Sequence, residues 1–148
     1  MRRHIFNHLN SNDSLEAKLT LDLTRNPNEL AAGCPYVVAY QWYPHQPGKT
    51  NGGVGDLILS DGYCTFYIVE IKWICQLSGK NNREKRRRAK LKVYEQAILY
   101  TQYFQQRFPQ FNSSPVTHTN EMTCFYKRDD TGYSLCMSCA NSITFGDE

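Results

Sequence analysis

The chain has 148 residues, 41% of them hydrophobic and 21% charged, with seventeen Lys and Arg against fourteen Asp and Glu for a formal charge of +3. That length suits a single domain, which buries roughly two thirds of its unfolded surface without needing disulfides or a large cofactor. No apolar run approaches the roughly 20 residues of a transmembrane helix, and the mild charge excess selects no partner until its distribution is considered.

Met1-Arg2-Arg3-His4 leads into Asn and Asp rather than an apolar signal core. An intracellular protein with its six cysteines as reduced thiols is the expectation, with nucleus, cytoplasm and organelle all open. Residues 1–14 lack a period and predict a loose tail before a folded domain spanning 15–148. Ser14 is placed to cap a short helix carrying Leu15, Lys18, Leu19 and Asp22. Pro27 opens a second short helix through Glu29 to Ala32, which Gly33 ends. Tyr36 to Tyr43 is rich in β-formers and reads as a strand, and Pro44-His45-Gln46-Pro47-Gly48 stops it in a long loop reaching Gly53.

Gly53-Val54-Gly55-Asp56-Leu57-Ile58-Leu59 predicts a strand with one carboxylate, and Ser60-Asp61-Gly62 a tight reversal. The return strand runs through Tyr67-Ile68-Val69-Glu70-Ile71-Lys72. Alternation puts Phe66, Ile68, Glu70 and Lys72 on one face and Val69, Ile71 and Trp73 on the other. From Lys80 to Lys92 the sequence KNNREKRRRAKLK holds eight cations and one acid. It merges into a helix whose Val93, Ala97, Tyr100, Phe104 and Phe108 recur at the spacing of a buried stripe. A polar loop through Asn112-Ser113-Ser114-Pro115 follows, then a hairpin of Met122 to Lys127 and Tyr133 to Cys139 turning at Asp129-Asp130-Thr131-Gly132.

Asp56 and Glu70, on adjacent strands, could supply the one or two carboxylates that Mg²⁺ takes together with water and substrate phosphate, with the Ile71 main-chain carbonyl as a further oxygen. A metal there lowers the pKa of bound water toward roughly 7 to 9, and Lys72 would position that water and offset developing charge. Alone, the three residues fit equally well a strand start and an ordinary exposed Glu70–Lys72 pair worth under about 1 kcal/mol.

Gln96 and Tyr100 are four apart and project from one helix face. The ordered set Gly53-x-x-Asp56, Glu70-x-Lys72 and Gln96-x-x-x-Tyr100 resembles the PD-(D/E)XK nuclease superfamily, in particular its RecB-like, lambda-exonuclease-like branch, over about residues 36–104. The resemblance implies a single α/β, restriction-endonuclease-like domain with a central mixed β-sheet flanked by helices. It also implies Mg²⁺- or Mn²⁺-dependent hydrolysis of phosphodiester bonds by metal-activated water, with DNA the expected substrate. Asp56 and Glu70 would be metal ligands and Lys72 the catalytic lysine. Gln96 and Tyr100 would organise the active site and substrate backbone.

Gly55 stands where a proline often precedes the aspartate in this superfamily. Many members also carry an upstream acid or histidine. Glu29 is the better candidate here, Glu16 lying further off and His45 in a loop.

The cations Lys80, Arg83, Lys85, Arg86, Arg87, Arg88, Lys90 and Lys92 could supply a salt-dependent, nonspecific nucleic-acid affinity. A solvated helix face and a nuclear-import signal are the plainer readings of such a run. Tyr36, Tyr40, Trp42 and Tyr43 could stack bases, or simply pack in the core. Cys136-Met137-Ser138-Cys139 has CxxC spacing without a second pair. Cys34, Cys124, Cys136 and Cys139 echo the order in which some RecB-like nucleases hold an iron–sulfur cluster, with different downstream spacing. Their apolar neighbours predict buried strand thiols, and neither zinc nor a cluster is expected. The rivals to a nuclease are a non-catalytic nucleic-acid-binding module on the same fold and a protein-interaction domain with a basic import signal. The sequence assigns no oligomeric state.

Overall fold

In a computed structural model describing residues 15–30, 33–44 and 53–141, the chain is an α/β structure built on a six-stranded mixed sheet. The elements run α1 (Leu15–Arg25), α2 (Pro27–Leu30), β1 (Tyr36–Trp42), β2 (Gly55–Ser60), β3 (Thr65–Lys72), α3 (Lys80–Arg107), β4 (Asn112–Thr119), β5 (Met122–Asp129) and β6 (Gly132–Ala140). The strands lie side by side in chain order. Among the described residues only β3 and β4 pair in parallel, since α3 carries the chain back along the sheet before β4 begins. The tail at 1–14 with its Ser14 cap, and His45 in the loop after β1, lie outside the described residues.

Alternation along β2 and β3 decides which helix meets which face. Leu57, Leu59, Val69 and Ile71 pack with Leu19 and Leu23 of α1, while Ile58 and Ile68 pack with Tyr100 and Phe104 of α3. The predicted division of β3 into two faces holds. So does the helical stripe: Val93, Ala97, Tyr100 and Phe104 are buried, and Phe108 falls just past the helix end, half-buried. The reversal between β2 and β3 is fastened by its own side chains. Ser60 Oγ accepts the Gly62 N–H, and Asp61 Oδ1 accepts the N–H groups of Tyr63 and Thr65.

The connection from β3 into α3 is pinned to the far end of β4. Ile74 is fully buried; its N–H donates to Asn120 Oδ1 at 2.7 Å and its carbonyl accepts from Asn120 Nδ2 at 3.0 Å. One side-chain amide thus does for this loop what a neighbouring strand would do for a β-residue.

Two expectations are corrected. Asn112–Pro115 is not loop but the first half of β4, parallel to β3 from Thr65↔Asn112 to Lys72↔Thr119. Pro115 is tolerated in this inner strand because β5 joins only from Val116, leaving β4 bonded on one side at the proline. Cys136 and Cys139 are exposed rather than buried, because β6 is the outer edge of the sheet and its residues 134–139 are uncovered; Cys34 and Cys124 are buried. Among the described residues no helix is long and apolar enough to cross a membrane.

Candidate active site

One step beyond the Leu57↔Val69 pair, β2 and β3 bring Asp56 and Glu70 face to face. Each carboxylate takes an N–H from the opposite strand: Glu70 Oε1 from Asp56 at 3.0 Å, and Asp56 Oδ2 from Ile71 at 2.7 Å. The reciprocal bonds lock both side chains to the ladder. Glu70 is only 3% exposed, which removes it from the plain reading of a surface ion pair.

Burial sets the electrostatics. Desolvation pushes Glu70 up to about 9, with the Asp56 charge adding to the rise. It pushes Asp56 up to about 6 against the pull of the Ile71 N–H, and the Glu16 charge raises it further. A hydrogen bond between the two carboxyls favours ionised Asp56 beside protonated Glu70. Two carboxyls this close hold one proton between them until something positive replaces it.

Lys72 pairs with Glu16, not with Glu70: its Nζ lies 2.8 Å from Glu16 Oε1, both side chains being nearly half exposed. Exposed pairs of this kind contribute under about 1 kcal/mol, so the contact orients Lys72 more than it stabilises the fold. Glu16 is therefore the upstream acid that the structure brings to the pair. The backbone of Glu29 lies in α2, but its side chain is outside the described residues.

Tyr100 closes the site from above. Burial and the charges of Glu70 and Asp56 raise its phenol pKa, and the Gln96 side chain hydrogen-bonds it, so the structure gathers the Gln96–Tyr100 pair and the two carboxylates. Gly53 passes so near that a Cβ there would sit 2.1 Å from the Tyr100 hydroxyl, and its φ of +86° is in the left-handed region that glycine favours.

Gly55 has a different constraint. A Cβ on it would lie 2.2 Å from Trp42 Nε1 and 2.5 Å from Cε2, so the indole occupies the space that the proline of the resembled pattern would need. The buried Nε1–H of Trp42 has no acceptor among the described residues. Gly55→Ala is expected to destabilise the protein by about 1–3 kcal/mol, the usual cost of overpacking, and to shift Trp42 emission. Urea denaturation checks this, with Gly55→Ala/Trp42→Phe recovering most of the loss. An unchanged midpoint would show that the indole yields freely.

Among the described residues no group of three or more His, Cys, Asp or Glu side chains is arranged to hold a metal. The carboxylate pair nevertheless fits a hard divalent cation. It offers two buried oxygen donors whose mutual charge needs compensation, and Mg²⁺ accepts one or two carboxylates with water and substrate completing its shell.

The basic run forms the N-terminal half of α3, ahead of Val93, the helix's first buried residue. The structure sorts its cations. Arg87 and Arg88 pair with Glu84, Lys90 with Glu121, and Arg86 donates to the Leu77 carbonyl. Among the described residues, no acid lies within ion-pair distance of Lys80, Arg83, Lys85 or Lys92. At the other end of α3, Arg107 donates to the Tyr43 carbonyl at 2.9 Å. Nothing in the sequence marked Arg107, which stands outside every charge cluster.

No family model, no curated protein and no solved structure matches the chain.

Proposed function

We propose that the chain is an intracellular, metal-dependent nuclease of the PD-(D/E)XK type, a restriction-endonuclease-like domain that hydrolyses phosphodiester bonds in DNA. The observation that carries the reading is the buried Asp56–Glu70 pair, cross-bonded between two strands, with Lys72 beside it and Tyr100 and Gln96 over it. Burying two carboxyls against each other costs stability, and a divalent-cation site gives that cost a use.

Asp56, Glu70 and the Ile71 main-chain carbonyl would hold Mg²⁺ or Mn²⁺. When bound, the cation supplies Lewis-acid polarisation of a phosphoryl oxygen and acidifies water. Lys72, oriented by Glu16 and nearly half exposed, places an ammonium where negative charge grows on the phosphate and holds the attacking water by hydrogen bonding. Tyr100 and Gln96 present a hydroxyl and an amide that orient the substrate backbone. The cations of α3 hold flanking phosphates.

The test incubates labelled single-stranded, duplex and branched DNA, and RNA, with the protein in Mg²⁺, Mn²⁺ or EDTA. Divalent-dependent cleavage is expected in the wild type and at least ~10²-fold less in Asp56→Asn and Lys72→Ala. Robust cleavage by both variants would sink the proposal. Salt-sensitive binding with no cleavage under either metal would replace it with a non-catalytic nucleic-acid-binding module.

A further inference from the structure

An apolar cavity of about 470 Å³ opens on the sheet face that bears the carboxylate pair, between β1, β2, β3 and the C-terminal end of α3. Small-ligand sites span roughly 300–1,000 Å³. Trp42, Tyr43, Phe66, Phe104, Phe108 and Phe111 give it an aromatic wall, and Arg107 is its one charged residue among the described residues. The wall is preformed: ring centroids are 4.9 Å apart for Phe66 and Phe111, 5.3 Å for Phe66 and Phe104, and 5.0 Å for Phe104 and Phe108. The exposed Arg107 guanidinium lies 5.4 Å from the Phe108 ring centroid. Among the described residues its guanidinium bonds to the Tyr43 carbonyl alone, which leaves further N–H donors for a ligand.

Position relative to the carboxylates narrows the ligand. Ile58 lines the cavity two residues along β2 from Asp56, and Phe66 lines it four residues along β3 from Glu70. At about 3.4 Å per strand residue these are separations of roughly 7 and 14 Å. They correspond to two to four of the ~3.4 Å axial steps between neighbouring nucleotides of one strand in a duplex, and to fewer on an unpaired strand drawn out beyond that rise. A planar π-face suits the rings and a phosphate suits Arg107; an unpaired nucleotide carries both. A wholly apolar ligand would leave Arg107 unused, and a base inside a closed duplex cannot enter.

We infer that this cavity receives an unpaired nucleobase of the bound strand, a few nucleotides from the phosphate held at Asp56 and Glu70; the inference rests on the nuclease reading for that second point. With Arg107 the one charged side chain among the described lining residues and the rest aromatic or aliphatic, the site stacks bases without reading their edges, so it tolerates any sequence.

The test measures binding in EDTA, where no cleavage is needed, by fluorescence anisotropy of two labelled single strands of equal length and charge, one intact and one abasic. The intact strand is expected to bind about 10-fold or more tightly, the contribution of one stacked base. Phe108→Leu, which keeps apolar volume but removes the ring, is expected to bring that ratio toward one while leaving the salt dependence of both strands unchanged. Arg107→Gln is expected to weaken both. Thermal melting checks that the variants fold. A wild-type ratio near one overturns the inference and leaves the cavity to an apolar ligand. A ratio untouched by Phe108→Leu places the stacking elsewhere and overturns it too. If the ratio holds while no metal supports cleavage, the base site stands and the nuclease reading falls.

Discussion

Glu70→Gln is expected to abolish metal-dependent cleavage and, in the same molecule, to stabilise the metal-free protein at alkaline pH. The sign follows from linkage. Glu70 ionises near 4.5 in the unfolded chain and at about 9 when folded, so the folded state binds the extra proton between those values. Its favourable contribution is complete below about pH 4.5 and is lost as pH rises toward 9. Asp56, raised from 3.8 to about 6, behaves alike in a lower window. Between pH 6 and 9 the remaining dependence is the loss of the pair's last proton, which Glu70→Gln takes out of the titration. The wild type in EDTA should lose up to about 1.4 kcal/mol of stability per pH unit there relative to Glu70→Gln, the value of one proton. Urea denaturation at pH 6, 7.5 and 9 measures the difference. Mg²⁺ should restore wild-type stability at pH 9 and do nothing for the variant, while cleavage falls at least ~10²-fold. Parallel pH profiles for the two proteins would contradict the buried-pair description.

The second large effect concerns the two halves of the basic run. Changing Lys80, Arg83, Lys85 and Lys92 together to Gln should cost DNA affinity on the order of 10³-fold near 0.1 M salt, and should reduce the slope of log K against log salt by up to ~3.6, about 0.9 for each phosphate contact. The matched change at Arg86, Arg87, Arg88 and Lys90 should cost much less, because Glu84 and Glu121 already engage three of these cations in ion pairs and offset two of the charges. Filter binding or anisotropy across a salt series separates the two. Equal losses would mean that the ion pairs open on binding and that the sorting has no functional weight.

Much of the site was legible because it lies on regular elements. Two-residue alternation put Glu70 opposite Ile71, and three-and-four spacing put Tyr100 in the buried stripe, so Asp56, Glu70, Gln96 and Tyr100 meet as their elements require. What escaped depended on packing between elements. β4 was read as a loop since Asn, Ser and Pro are poor strand formers; position, not propensity, makes Asn112–Thr119 a strand, beside β3 and under α3. Glu16 ranked behind Glu29 by distance along the chain, yet docking of Leu19 and Leu23 on the sheet swings the start of α1 to the end of β3. The room that Gly55 leaves for Trp42 could be seen only once β1 paired with β2.

The length of α3 has its own meaning. Its 28 residues run about 42 Å at 1.5 Å per residue, and Lys85, Lys92, Gln96, Tyr103 and Arg107 follow one another along it at intervals of seven and four. Those intervals keep all five on one side of the cylinder. On the proposed nuclease reading the helix is thus a graduated ruler, whose marks for phosphate, reacting centre and base would span about 33 Å from Lys85 to Arg107. Phase and reach are set separately on such a ruler. One residue inserted between Lys92 and Gln96 would turn the cationic marks by about 100° out of line, whereas seven would keep them in line and slide them about 10 Å farther along the strand.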